Sequence, residues 1–249
     1  MTVKTPERSQ LSANNDQELQ RRTEDTEALV HDIIGRNQEF FAEPANRVAF
    51  LQEQTGESMY ALTQYVNAKL RGEKPHQLRH DPEEKGAYLM ALHTPAAEDK
   101  PAAFESGYKA LQDYLAASED DEQKKLEGAA MALEALTIWV HPFNDGNGRT
   151  SRFLGKLMED GAQDMAALVA ETVSNQNRGR IYTDTYASKE SVLKAADNPE
   201  VMMDDDERIA ERQRARTLPG DVTVMYYNVK HLLENQGARK RTKRYTRAQ

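Results

Sequence analysis

The chain has 249 residues, a formal net charge of −8, 30% charged and 38% hydrophobic residues, and no cysteine. The acidic balance argues against a general nucleic-acid binder, and the missing thiols exclude a disulfide framework, a thiolate zinc site and a cysteine nucleophile. No apolar run approaches the roughly 20 residues needed to span a bilayer, and the polar start Met1 to Gln20 lacks the apolar region of a secretory signal. A cytoplasmic protein is expected, with secretion as an effector left open. The length allows one domain with extensions or two small ones, with a sizeable core.

Residues 1–24 read as a flexible N-terminal arm. Ala28, Leu29, Val30, Ile33 and Ile34 then mark an amphipathic helix stopped by Gly35. Glu43-Pro44 suits a helix start, and Val48, Phe50 and Leu51 carry that helix to Thr55-Gly56. Met59, Leu62, Tyr65, Val66 and Leu70 continue at helical spacing to Gly72. Between 72 and 100 the pattern breaks: Asp81-Pro82-Glu83-Glu84 reads as a helix start, whereas Tyr88 to Leu92 fits a short strand equally well. His76 and His80 have metal-ligand spacing if helical, but no third ligand is evident, and they read as exposed loop histidines.

Lys100-Pro101 opens a helix with Phe104, Tyr108, Leu111 and Leu115 on one face. After the acidic turn Glu119 to Glu122, a further helix carries Leu126, Ala129, Ala130, Leu133, Leu136 and Val140 in register. Trp139 and Phe143 read as core anchors beside a polar loop. Beyond residue 152, Met165, Ala166, Leu168 and Val169 suggest a buried helix, residues 195–218 a charged surface helix or tether, and Val222, Met225, Tyr226, Val229 and Leu233 a last amphipathic helix. The basic tail Arg239 to Tyr245 reads as solvated, with contact to nucleic acid or an anionic membrane as the alternative.

The segment His141-Pro-Phe-Asn-Asp-Gly-Asn-Gly-Arg-Thr-Ser-Arg152 organises the rest. Asp145-Gly146-Asn147-Gly148 is a tight-turn sequence whose successive N–H groups can form an anion-binding nest. Phe153, Leu154, Leu157 and Met158 then return to helical spacing. The turn therefore opens a helix, whose free N–H groups and positive dipole end join the same site. Arg149 and Arg152 share a face of its first turn. Their charges oppose the dipole there, a conflict that a bound polyanion removes. An EF-hand calcium loop is excluded, because its first and twelfth positions fall on Phe143 and Leu154.

His-Pro-Phe-x-Asp-Gly-Asn-Gly-Arg-x-x-Arg at residues 141–152 resembles the complete motif of Fic-domain (Fic/Doc, Fido) proteins. The resemblance implies a mainly α fold, a Fic-like helical bundle with a small β-hairpin flap upstream of the motif, for which residues 72–100 are the candidate region. It implies a protein adenylyltransferase moving AMP from ATP to a Ser, Thr or Tyr hydroxyl of a target protein, or of the chain itself. His141 would be the general base and Asp145 the Mg²⁺ ligand. Asn144, Gly146, Asn147, Gly148, Arg149 and Arg152 would bind the phosphates, and Tyr182 would stack on the nucleotide base. A Fic-fold transferase using another nucleotide or a phosphoryl donor, and a non-catalytic interaction protein retaining the fold, remain the alternatives. The expected organisation is an arm to residue 24, a Fic-like catalytic domain over 25–195, a charged connector and C-terminal helix over 196–237, and a basic tail over 238–249.

Many Fic-like proteins are restrained by a helix of the form Ser/Thr-x-x-x-Glu-Gly/Asn, whose Glu pairs with the motif's last Arg. The nearest copy noted here is Lys230 to Asn235, with Glu234 as the candidate inhibitory residue and Lys230 in place of the hydroxyl. A solvated Lys230–Glu234 pair is the favoured reading of that helix. An antitoxin-like partner protein would then be the other source of restraint.

Overall fold

Apolar residues at three- and four-residue spacing become helices along most of the chain, and these helices share one core. The computed structural model describes residues 8–35, 37–72, 88–89, 92–95, 97–161, 163–174 and 222–234. The described helices are α1 (Arg8–Ile34), α2 (Gln38–Ala42), α3 (Pro44–Glu53), α4 (Gly56–Leu70), α5 (Lys100–Ala117), α6 (Glu122–Val140), α7 (Asn147–Asp160), α8 (Met165–Val173) and α9 (Val222–Glu234). A 3₁₀ turn, Ala97–Asp99, precedes α5, and two short strands, β1 (Tyr88–Leu89) and β2 (Leu92–His93), stand before it. The strands pair antiparallel in the register Tyr88 to His93 and Leu89 to Leu92. The chain is thus mainly α with a small hairpin upstream of residue 141.

The helix starts follow local chemistry. Thr55 and Ser58 form a reciprocal capping box at α4, with Ser58 N–H donating to Thr55 Oγ1 at 3.1 Å and Thr55 N–H to Ser58 Oγ at 3.0 Å. Pro101 stands in the first turn of α5. Asp121 caps α6 by accepting from Lys124 N–H at 2.9 Å.

α6 is the central helix. The sequence marks one apolar face, but in the structure Gly128 to Ala130 and Ala132 to Val140 are all buried, because α3, α5, α7 and α9 surround it. Trp139 is fully buried. Where α7 faces α6, a Cβ on Gly155 would fall 2.3 Å from Glu134 Oε1, so the buried Glu134 side chain would have to move to admit one. α9 lays Val224, Met225, Val229, Leu232 and Leu233 into the same core against α5 and α6. The Tyr226 hydroxyl donates to Asp113 Oδ2 at 2.9 Å at the rim of that contact. The C-terminal helix therefore shares one core with α5 and α6.

Of the arm expected over residues 1–24, residues 1–7 lie outside the described residues, and from Arg8 the chain is helical into Ile34. Its apolar residues Leu29, Val30 and Ile34 are buried. Before them the helix is polar, and the ion pairs Arg21–Glu18 (3.0 Å), Arg22–Glu18 (2.7 Å) and Arg21–Asp25 (3.4 Å) lie along it. Each such pair stabilises a helix by a few tenths of a kcal/mol, and none of them produces an apolar period. α1 packs on α4 and α8.

Arg47 is fully buried in α3. Its guanidinium donates to the carbonyls of Phe41 and Ala42, and to those of Met158 (3.1 Å) and Glu159 (3.4 Å) at the end of α7. One planar donor fork thus satisfies carbonyls of two helix ends. Arg47→Met should leave those carbonyls without their donor and cost on the order of 3 kcal/mol, read as a lower urea midpoint at unchanged slope.

Candidate active site

The site begins where α6 cannot continue. His141 caps α6 with φ 47 and ψ 59, its N–H bonded to Thr137 O, and Pro142 follows. It is the only non-glycine with positive φ among the described residues. A side chain in this left-handed region costs roughly 1–2 kcal/mol, and glycine is the usual occupant. Such strain persists only where the surroundings fix it.

Asn147 does the fixing. Phe143 N–H donates to Asn147 Oδ1 at 3.1 Å, and Asn147 Nδ2 donates to the Phe143 carbonyl, so both polar backbone groups of one residue are held by one amide. The N–H contact sets which way the amide faces. Its NH₂ therefore also meets His141 Nε2, at 3.2 Å. Phe143 is itself buried and pins the loop to the core, as does Trp139.

α4 clasps the turn from the other side. Asn67, buried at 3% exposure, donates to the Asp145 carbonyl at 3.0 Å and to Thr150 Oγ1 at 3.1 Å. Gly146 has φ 83, and a Cβ there would stand 2.7 Å from Asn67 Nδ2, so both conformation and space require glycine. The Leu70 carbonyl accepts from Arg149 Nη1 at 2.6 Å. Arg149 Nη2 lies 3.7 Å, and Arg71 Nε 4.0 Å, from Asp145 Oδ2. Burial pulls the Arg149 guanidinium below its usual range, the Arg22 and Arg21 charges of α1 act in the same sense, and Asp145 opposes them.

Arg152 donates through Nε to the carbonyls of Glu171 (3.0 Å) and Thr172 (3.3 Å), and through Nη2 to Thr172 at 3.0 Å. It thereby closes the end of α8. Its Nη1 turns the other way, 3.3 Å from where a Cβ on Gly148 would stand. Both arginines are almost fully buried, whereas the Asp145 side chain is 71% exposed. Asn144 is exposed at the same rim.

His141, Asn144, Asp145, Gly146, Asn147, Gly148, Arg149 and Arg152 therefore converge on one turn at the start of α7. Glu234 does not join them. It pairs with Lys230 at 3.9 Å on an exposed face of α9, while Arg152 engages the end of α8. Tyr182, the histidines at 76 and 80, and the basic tail lie outside the described residues. Sequence reasoning missed Asn67, the Leu70 carbonyl and Arg71. Asn67 carried a readable signal, a polar amide on a helix face otherwise formed by Met59, Val66 and Leu70.

Replacing His141 tests the strain. His141→Gly should be more stable than His141→Ala by about 1 kcal/mol, because only glycine takes the left-handed conformation without a Cβ clash. Thermal unfolding of the two variants side by side decides it, and equal midpoints would mean the conformation relaxes. Glu234→Gly removes only an exposed partner of Lys230 and should leave the thermal midpoint close to that of the native chain.

No curated protein and no solved structure matches the chain. No helix among the described residues is long and apolar enough to cross a membrane. A family model described as Fic/DOC family matches residues 27–158, from the apolar half of α1 to the end of the buried part of α7. That match spans more than half of the chain and holds the whole His141–Arg152 turn, so the chain belongs to the Fic/DOC family, whose members are typically transferases.

Proposed function

We propose that this chain is a protein adenylyltransferase that moves AMP from Mg·ATP to a hydroxyl side chain of a target protein, or of itself. The observation that carries the reading is one turn that brings the His141 imidazole, the exposed Asp145 carboxylate and two buried guanidinium groups together. An alcohol is a weak nucleophile at neutral pH and needs a positioned base. The hydroxyl oxygen would attack the α-phosphorus, its proton passing to His141 Nε2, while the bond to the β-phosphate's bridging oxygen breaks and pyrophosphate leaves. Asn147 would give up its contact with Nε2 as the hydroxyl proton arrives, while its two bonds to Phe143 keep the loop in shape. Gly146, Asn147 and Gly148 supply backbone donors at the start of α7, and Arg149 and Arg152 offset the charge that develops on the leaving group.

The donor set fits Mg²⁺ carried by the nucleotide better than a resident ion. No cluster of three or more candidate ligands occurs among the described residues, whereas Mg²⁺ commonly takes one or two carboxylates and completes its shell with phosphates and water. Asp145 is the exposed carboxylate at the turn. When bound there, the ion would polarise the phosphate oxygens. The intact His141 and Asp145 favour this reading over a non-catalytic module that retains the fold.

The test is incubation of the chain with labelled ATP, GTP, CTP and UTP in turn, together with a lysate. Label should pass to protein from ATP, and transfer from another nucleotide would redirect the donor assignment. His141→Ala should lower the rate by about 10²–10⁴-fold while the helical signal is retained. Asp145→Ala should weaken the Mg²⁺-dependent part of nucleotide binding. Arg152→Ala should weaken ATP more than AMP, and equal losses in calorimetry would contradict its role at the terminal phosphates.

A further inference from the structure

The 141–152 segment supplies two cations, and both are anchored. Arg149 is held under the turn by the Leu70 carbonyl, and Arg152 by the carbonyls at the end of α8. Their side chains reach the turn from below, through buried positions. A third and more exposed guanidinium, from outside the segment, stands beside the turn. Arg71 ends α4, one residue after the carbonyl that holds Arg149. Its stem runs along the turn, with Cδ 3.6 Å and Cγ 3.7 Å from where a Cβ on Gly146 would stand. Its Nε then comes within 4.0 Å of Asp145 Oδ2, and its side chain is 26% exposed.

We propose that Arg71 is a phosphate-binding residue of this site, guarding Asp145 until the metal–nucleotide complex arrives. This rests on the adenylyltransferase reading. The 4.0 Å separation is longer than a charge-assisted hydrogen bond of about 2.7–2.9 Å. The pair is therefore a loose one that a stronger partner displaces. A divalent ion drawn to Asp145 repels the guanidinium, and the phosphate chain that arrives with the ion offers it a new anion. Arg71 thus exchanges one oxygen partner for another along the same edge of the turn. Before nucleotide binds, Arg71 and Arg149 together disfavour a bare cation at Asp145.

The two halves of this exchange respond in opposite directions to one substitution. In Arg71→Gln, Mg·ATP should bind about tenfold more weakly, the scale for losing one hydrogen bond to a charged group. Mn²⁺ alone, used as a spectroscopic probe for the carboxylate, should bind at least as tightly as it does to the native chain. Arg71→Lys should recover most of the Mg·ATP affinity, since it restores the positive charge. Calorimetry with Mg·ATP and paramagnetic resonance with Mn²⁺ on the full-length variants give both readouts, with circular dichroism to establish the fold. Unchanged Mg·ATP affinity in Arg71→Gln, beside a native chain that binds it, would sink the Arg71 role and leave the enzyme reading standing. Parallel loss of Mn²⁺ and Mg·ATP would assign Arg71 to holding the turn in shape, which also overturns the proposal. A native chain that binds no Mg·ATP would overturn both readings together.

Discussion

A turn that opens a helix has backbone N–H groups without an intrahelical partner, so something other than the helix must hold it in shape. That constraint governs the architecture around residues 141–152. The first intrahelical bond of α7, Thr150 N–H to Gly146 O at 2.9 Å, leaves the preceding donors unpaired within the helix. The turn is therefore stabilised by side-chain amides from either side. Asn147 binds the N–H and carbonyl of Phe143, and Asn67 binds the carbonyl of Asp145. An amide suits this work because it carries donor and acceptor on one rigid plane and no charge to compete with an incoming anion.

The helices are arranged to deliver these groups. α6 ends at His141 because the left-handed conformation and Pro142 both stop a helix. α7 lies close to α6 because Gly155 admits Glu134. α4 crosses at the level of the turn, and its last two turns supply an amide, a carbonyl and a guanidinium in succession at Asn67, Leu70 and Arg71. Arg152 ties α7 to the last carbonyls of α8, where a cation complements the negative end of the helix dipole. The same residue thus serves as a strut at one edge of its guanidinium and faces Gly148 with the other.

Much of this was legible in the sequence, and the boundary has physical reasons. The helices with apolar faces, α3 to α9, stand close to where their spacing and punctuation put them, because burial of those faces is what forms them. The turn and its helix were readable because Gly, Asn and Asp at fixed offsets are local signals. The hairpin was ambiguous: its two-residue strands are too short for period-two alternation to outweigh a helical alternative. The first half of α1 was misread because its polar faces and i,i+4 pairs leave no apolar stripe. Arg71 and the Leu70 carbonyl were beyond reach, since a backbone acceptor has no sequence signature and an arginine after a helix reads as a solvated cap.

Charge around the turn explains why so exposed a carboxylate suits this site. Asp145 lies between Arg71 and Arg149, and the charges of Arg21 and Arg22 also reach Arg149 from α1. Glu18 and Asp25 offset those two arginines on α1 itself. The guanidinium groups at the turn face Asp145, which points into water, while Asp25 and Glu18 also act on Arg149 from α1. A lone carboxylate so surrounded binds a cation poorly, because each approaching positive charge meets two others within 4.0 Å of the same oxygen. A polyphosphate reverses the balance, since it brings several negative charges for the guanidinium groups and oxygen ligands for the ion at once. On the proposed adenylyltransferase reading, this arrangement of charge would favour the metal–nucleotide complex over the bare metal ion.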